Sequence, residues 1–289
     1  MTFFRTRPTL DTDNPSAFAA RQVLIAHAAV SDRKRGRLWH AERIRRAGFG
    51  LAEAATGHTD VHLRDWSLAE QGGVLAATVR AEDFGFTLAL APSVPPLVNG
   101  AGGYSQKGPA PESASLYYSV PQLTVTGTLE RAGHREPVTG SAWLDHEWSS
   151  AYLDAAAVGW DWIGINLDDG GALMAFRMRD ATGQARWAGG TARAPDGRVR
   201  ILAPGDVRFE PGRRWRSART AIEYPVEWRV GAGDLALELV PLMDDQESDS
   251  RATTGSVYWE GAVEARRGGQ RIGHGYLELT GYGERLRLR

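Results

Sequence analysis

The chain has 289 residues, 42% hydrophobic and 24% charged, with 34 Gly, 14 Pro and no Cys, a composition that excludes disorder, collagen-like repeats, disulfide scaffolds, thiol catalysis and thiolate metal sites. Its 34 basic and 35 acidic residues give a formal net charge of -1, and the basic residues form no run, so nucleic acid is not an expected partner. Lys34 and Lys107 are the only lysines; the arginine excess reads as coding bias rather than a phosphate-gripping surface.

No apolar run approaches the ~20 residues of a membrane helix. The opening Met1-Thr2-Phe3-Phe4-Arg5 lacks the basic start and apolar middle of a signal peptide, and the absence of Cys does not choose between cytosol and periplasm. Cores tend to divide beyond about 250 residues, so two domains are expected.

Along the chain, alternating or β-rich runs recur at 22–30, 74–79, 84–91, 123–129, 141–148, 160–167, 172–178, 226–230, 235–240, 257–265 and 275–281. They predict strands of a mostly antiparallel sheet. Between them, Asp168-Asp169-Gly170-Gly171, Pro195-Asp196-Gly197, Gly231-Ala232-Gly233-Asp234 and Arg267-Gly268-Gly269 supply the positive φ of tight turns. One short helix is expected at 41–46, extending toward Ala55. Gly127-Thr128-Leu129-Glu130 echoes Gly261-Ala262-Val263-Glu264 at an offset of 134 positions, which suggests two related β units, one per half. In that register Asp145, His146, Glu147 and Trp148 fall on Leu279, Thr280, Gly281 and Tyr282, so architecture alone does not demand the ionisable triplet.

That triplet sits in Ser141-Ala142-Trp143-Leu144-Asp145-His146-Glu147-Trp148. Successive strand side chains take opposite faces, which groups His146 with Leu144 and Trp148, and Asp145 and Glu147 with Trp143. The three cannot readily share a metal, and His27, His40, His58, His62, His134 and His274 show no ligand spacing; no metal is expected. His146 reads either as a general acid or base, since imidazole titrates near neutrality, or as a polar latch between strands. Asp145 with Glu147 does not suit a glycosidase pair, because neighbours on one strand face seldom flank a sugar ring.

In Gly159-Trp160-Asp161-Trp162-Ile163-Gly164-Ile165-Asn166, parity groups Asp161 with the isoleucines. Were that face buried, Asp161 would be desolvated into a proton donor; were the tryptophan face buried, it would be a solvated strand residue. Trp143, Trp148, Trp160 and Trp162 crowd one stretch and suit an apolar ligand or a carbocation, and with Tyr118 and Tyr258 they make the expected ligand-binding set. Trp39, Trp66, Trp187, Trp215 and Trp228 read as core. The Gly-rich stretch 99–108 lacks the phosphate-loop spacing and the nucleophile-elbow spacing, and reads as a loop. The acidic run 244–249 fits no calcium loop.

Tyr117-Tyr118-Ser119-Val120-Pro121-Gln122-Leu123, the block from Gly140 to Trp148, Gly159-Trp160-Asp161-Trp162 and the closing Gly275-Tyr276-Leu277-Glu278-Leu279-Thr280-Gly281-Tyr282 together resemble the AttH-like, carotenoid 1,2-hydratase-related proteins over nearly the whole chain. The resemblance implies an all-β fold of two lipocalin-like antiparallel barrels, residues 1–155 and 156–289, with little helix. It implies a cofactor-free addition of water to a hydrophobic isoprenoid or polyene double bond. His146-Glu147-Trp148 matches the family's His-x-Trp, and Asp161 is the candidate for its downstream Asp; Asp145 or Glu147 would orient the histidine. A non-catalytic carrier of an apolar ligand and a hydrolase of a small ester or lactone are the alternatives. Relatives usually carry residues, often an export or lipoprotein signal, ahead of the segment matching Thr2-Phe3-Phe4-Arg5. The first barrel is therefore expected to lack its first strands, while location, peripheral association with a membrane and oligomeric state stay open.

Overall fold

The computed structural model describes residues 1–8, 14–16 and 18–285. Among them all regular structure is β apart from one 3-10 turn at Pro204–Asp206. The first half opens with a three-stranded antiparallel sheet, β1 (Thr2–Thr6), β2 (Val23–Asp32) and β3 (Arg37–Arg46). A meander follows, β4 (Ala52–Ala54), β5 (Asp60–Leu63), β6 (Trp66–Gln71), β7 (Val74–Arg80) and β8 (Phe84–Ala91). It joins the short β9 (Leu97–Val98) and β10 (Tyr104–Gln106) and the long hairpin of β11 (Ala114–Arg131) and β12 (His134–Ala151) in a second sheet.

The second half begins with β13 (Gly159–Leu167), β14 (Ala172–Arg179), β15 (Ala185–Arg193), β16 (Val199–Leu202) and β17 (Val207–Pro211). A two-stranded ribbon, β18 (Arg214–Arg216) and β19 (Glu223–Pro225), precedes β20 (Trp228–Ala232), β21 (Leu235–Pro241), β22 (Glu247–Ser250), β23 (Ser256–Arg267) and β24 (Gln270–Leu279). The main sheet runs β16-β15-β14-β13-β24-β23-β21-β20-β17, and β17 packs back against β14 and β15. The antiparallel sheets are thus curled into half-barrels.

Each curl closes on apolar side chains. In the first half Leu24, Ala26 and Ala28 from β2 meet Leu63, Trp66, Val79 and Phe84. In the second, Ile163 and Ile165 from β13 meet Trp228, Trp259, Leu277 and Leu279. The helix expected at 41–46 is instead the end of β3, which pairs with β2 over ten residues. Cross-strand pairing and the packing of that hairpin over the β2 core outweigh the local helix preference. The two segments that echo each other both form long hairpins, β11 with β12 and β23 with β24.

A bulge fixes the halves together. Between Val120 and Leu123 the β11 register slips against β12, and Gln122 takes a φ of 56°. The bulge aims Gln122 at the second half: its backbone N–H donates to Asn166 Oδ1 at 2.9 Å, and its side-chain amide donates to the carbonyls of Leu167 and Gly171, each at 2.9 Å. Asn166 in return donates to the Ala142 carbonyl, and Ser141 Oγ lies 2.6 Å from His274 Nε2.

At the centre of the main sheet of the second half β13 and β24 approach so closely that a Cβ on Gly275 would lie 2.0 Å from the Gly164 carbonyl oxygen and 2.8 Å from Ile165 Cα. Both contacts are backbone, which cannot swing aside. Gly275→Ala is expected to cost about 1–3 kcal/mol through this overpacking, read as a drop of several degrees in the thermal unfolding midpoint, whereas Gly140→Ala, which meets nothing within 4 Å, should leave it unchanged.

Candidate active site

Residue by residue, β12 sorts its chemistry onto two faces. Its register with β11 sets Asp145 opposite Ser119 and Glu147 opposite Tyr117 on one face, and His146 opposite Tyr118 and Trp148 opposite Leu116 on the other. The carboxylate face looks across at the second half. Tyr117 OH accepts a hydrogen bond from Trp162 Nε1 at 3.1 Å, and the Trp143 ring lies over Gly164, where a Cβ would come within 3.0 Å of it. β12 faces the strands β13, β24 and β23 across an open-sided cleft: Asp145 is exposed and Trp143, Glu147, Trp160, Glu260, Tyr276 and Glu278 are half-buried, while the charges of Asp145 and Glu147 are felt at Glu278.

On the near wall Asp145 Oδ1 accepts from Ser119 Oγ at 2.6 Å and from Trp143 Nε1 at 2.8 Å. Water reaches this carboxyl, yet the surrounding protein so limits its solvation that its pKa is pushed up to about 6, despite the bonds from Ser119, Trp143 and Tyr117. Two residues along, Glu147 is bound differently. Lys107 Nζ lies 2.9 Å from its Oε1, Ser115 Oγ donates to that same oxygen, and Tyr152 OH donates to Oε2 at 3.3 Å. Lys107 is 1% exposed and sits 4.0 Å from the centroid of the Phe176 ring; burial lowers its pKa while Glu147 opposes the shift.

The far wall carries Glu260 and Glu278, directly opposite each other on β23 and β24. Glu278 also faces Trp162 on β13 and accepts from Trp160 Nε1 at 3.2 Å. Burial, and then the charge of Glu260, push Glu278 up to about 8; burial pushes Glu260 up to about 7. Glu278 also feels Glu147 and Asp145, so carboxylates from both halves share one electrostatic environment. Tyr276 lies on the Glu278 face, and burial holds the phenols of Tyr117, Tyr152 and Tyr276 well above their usual range, protonated as donors.

Not every expected residue joins this cleft. His146 lies on the opposite face of β12, exposed, with Nδ1 2.9 Å from Tyr118 OH and its ring 5.1 Å from that of Trp148; burial lowers its pKa. Asp161 is on the isoleucine face of β13, 0% exposed. Arg177 Nε reaches it at 2.6 Å, Arg179 Nε at 3.1 Å and Tyr282 OH at 2.8 Å. The expectation that His146 and Asp161 form one acid/base pair is therefore corrected. Each points away from the cleft, so both walls stand between them, and Asp161 is bridged by two guanidiniums at the second core. Trp143, Trp160 and Trp162 line the cleft; Trp148 and Tyr118 belong to the His146 face. Tyr258, 8% exposed, gives its hydroxyl to a buried network in which it lies 2.5 Å from His27 Nδ1.

Sequence reasoning missed Lys107, Ser119, Tyr152, Glu260 and Glu278. Lys107 carried a signal, as one of two lysines in an arginine-rich chain and placed in a Gly-rich stretch. Glu278 and Tyr276 are two apart on one strand, and parity alone groups them. Among the described residues no group of three or more His, Asp or Glu could hold a metal, and no helix is long and apolar enough to cross a membrane.

The chain matches the AttH-like family over residues 1–282 and belongs to it. It is similar to a solved structure from Nitrosomonas europaea assigned as an AttH, with 52% identity and a TM-score of 0.91, covering 98% of this chain and 86% of that one. Kievitone hydratase from Nectria haematococca shares the fold at 16% identity and a TM-score of 0.69, covering 91% of this chain and 80% of that one. CghA, solved with Sch210972, does so more distantly, at 11% identity and a TM-score of 0.51 with 92% and 82% covered. No curated protein matches the sequence.

The placement of Asp161 gives a test of its structural role. Asp161→Asn leaves the buried Arg179 and the half-buried Arg177 without their counter-charge and is expected to cost about 3–5 kcal/mol of stability, measured by urea unfolding; a change under about 1 kcal/mol would assign Asp161 elsewhere.

Proposed function

We propose that the cleft between the halves is a cofactor-free acid/base site that adds water to a carbon–carbon double bond of a hydrophobic isoprenoid or polyene. One observation carries the reading: Asp145 and Glu278, on opposite walls of a space lined by Trp143, Trp160 and Trp162, are pushed to different pKa values, about 6 and about 8. At neutral pH the first is mostly a carboxylate and the second mostly a carboxylic acid. Environments that separate the pKa values of paired carboxyls are how one site supplies both an acid and a base.

In the proposed reaction Glu278 gives its proton to the less substituted alkene carbon. The positive charge formed on the other carbon faces the indole rings, whose π-electrons stabilise it. Water attacks that carbon, Asp145 takes the proton released, and the product is a tertiary alcohol. Glu278 ends ionised and Asp145 protonated, and exchange with solvent restores both. Glu147, two residues along on the same face, is held by Lys107, Ser115 and Tyr152. The family fold supports a hydratase assignment, since kievitone hydratase has the same architecture.

Purified protein incubated with lycopene, neurosporene and shorter terminal isoprenoids in detergent is expected to give a water-adduct mass. The rate should follow a bell-shaped pH profile. Activity is lost below about 6 as Asp145 takes up a proton, and above about 8 as Glu278 loses one. Glu278→Gln and Asp145→Asn should each lower kcat by about 10²–10⁴-fold with little change in KM. Tight polyene binding without product, equal in the wild type and both variants, would instead identify a carrier.

A further inference from the structure

We propose that Asn99 and Ser119 are positioning residues that hold the Asp145 carboxylate toward the cleft. The inference rests on the acid/base reading of Asp145. Asn99 and Ser119 are both 0% exposed. Asn99 Nδ2 donates to Ser119 Oγ at 2.8 Å, and Ser119 Oγ donates to Asp145 Oδ1 at 2.6 Å. A serine hydroxyl has one proton, and here it goes to the carboxylate; the hydroxyl oxygen must then accept, which fixes the Asn99 amide with its nitrogen toward Ser119. In that orientation Asn99 Oδ1 is buried with no partner. The donor end of the amide is in use while its acceptor end is left unmet.

Asn99 is placed by more than its side chain. Its backbone N–H donates to the Tyr117 carbonyl at 3.1 Å, next to the pairing of Leu97 with Ser119. Gly100 then turns the chain with φ 69°, where a Cβ would lie 2.2 Å from the Tyr104 carbonyl oxygen, so only glycine fits. The Gly100 N–H donates at 3.2 Å to Thr191 Oγ1 on β15. The relay Asn99–Ser119–Asp145 is thus anchored to the second half, on the same sheet that carries Glu278, and the separation of acid and base depends on both walls.

The charged and titratable groups facing Asp145 are Glu147 on its own strand, Tyr117 on β11, Lys107 from the loop after β10, Tyr152 after β12 and Glu278 on β24. Glu147 raises the Asp145 pKa, and the Ser119 bond lowers it. Loss of the serine hydroxyl therefore moves the Asp145 titration upward, and loss of Asn99 moves it the same way by freeing the hydroxyl to turn. A side chain that merely stapled the loop would not move it.

The test is a carboxyl-carbon NMR titration of aspartate-labelled full-length protein, with the Asp145 signal assigned through Asp145→Asn. Ser119→Ala is expected to raise its midpoint by about one pH unit, a tenfold change in proton affinity. Asn99→Ala should raise it by less, and Ser119→Thr, which keeps the hydroxyl, should match the wild type. In turnover the acidic limb should move with the NMR midpoint while KM stays put. An unmoved midpoint in Ser119→Ala overturns the proposal even if the wild type is an active hydratase. Movement as expected in a protein that hydrates nothing upholds the relay and removes the acid/base reading. Should Asn99→Ala fail to fold, the contrast between Ser119→Ala and Ser119→Thr decides.

Discussion

Carboxyl groups brought together where protein has displaced most of the water cannot all be charged at neutral pH, and the arrangement of the cleft follows from that constraint. Glu260 and Glu278 are cross-strand neighbours, and like charges so placed repel through a medium that screens poorly. Asp145 approaches from the other half. The system resolves the conflict by retaining protons, and retained protons are what an acid catalyst needs. The surrounding tryptophans serve both ends: they exclude water, which raises the pKa values, and they offer π faces to a cation.

Charge in this molecule is handled in two contrasting ways. Asp161 and Glu147 meet cations, the first two arginines and the second Lys107. These groups are compensated and hold structure in place. Asp145 and Glu278 meet neutral donors, hydroxyl and indole N–H. A neutral donor stabilises an anion less than a full positive charge does, so these groups keep protonation states that respond to pH and to a bound molecule. The distinction separates residues that build the fold from those suited to chemistry, although all four are acidic side chains on long strands.

Strand parity made much of the site legible in the sequence. It placed Asp145 with Glu147 and Trp143, and His146 with Trp148, and it put Asp161 with the isoleucines. What it could not supply was which face of each strand meets the other half, because that depends on how two curled sheets dock. The guanidiniums beside Asp161 were nearer to reach. With the turn at Asp168–Gly171 fixed, the hairpin register sets Asp161 opposite Arg177, and a buried acid across from an arginine is a structural pair before it is a proton donor. The strand at 41–46 was missed for a different reason, since its pairing with β2 decides its state and a local propensity carries no record of a partner. Glu260 and Glu278 come together only when β23 pairs with β24, and only the docking of β12 on β13 brings Glu278 within reach of the charges of Asp145 and Glu147.

Gly164 gives the cleft a dimension of its own. With no side chain on β13 at that point, the Trp143 ring settles directly onto the backbone, and a Cβ would also come within 2.6 Å of the Trp162 ring. A single hydrogen atom at Gly164 thereby leaves room for the Trp143 ring to seat on β13 while its indole N–H reaches Asp145. A bulkier residue there would push the Trp143 ring off β13 and, with it, the indole N–H off the Asp145 carboxylate, so the seating of one half on the other and the hydrogen bonding of Asp145 are mechanically tied.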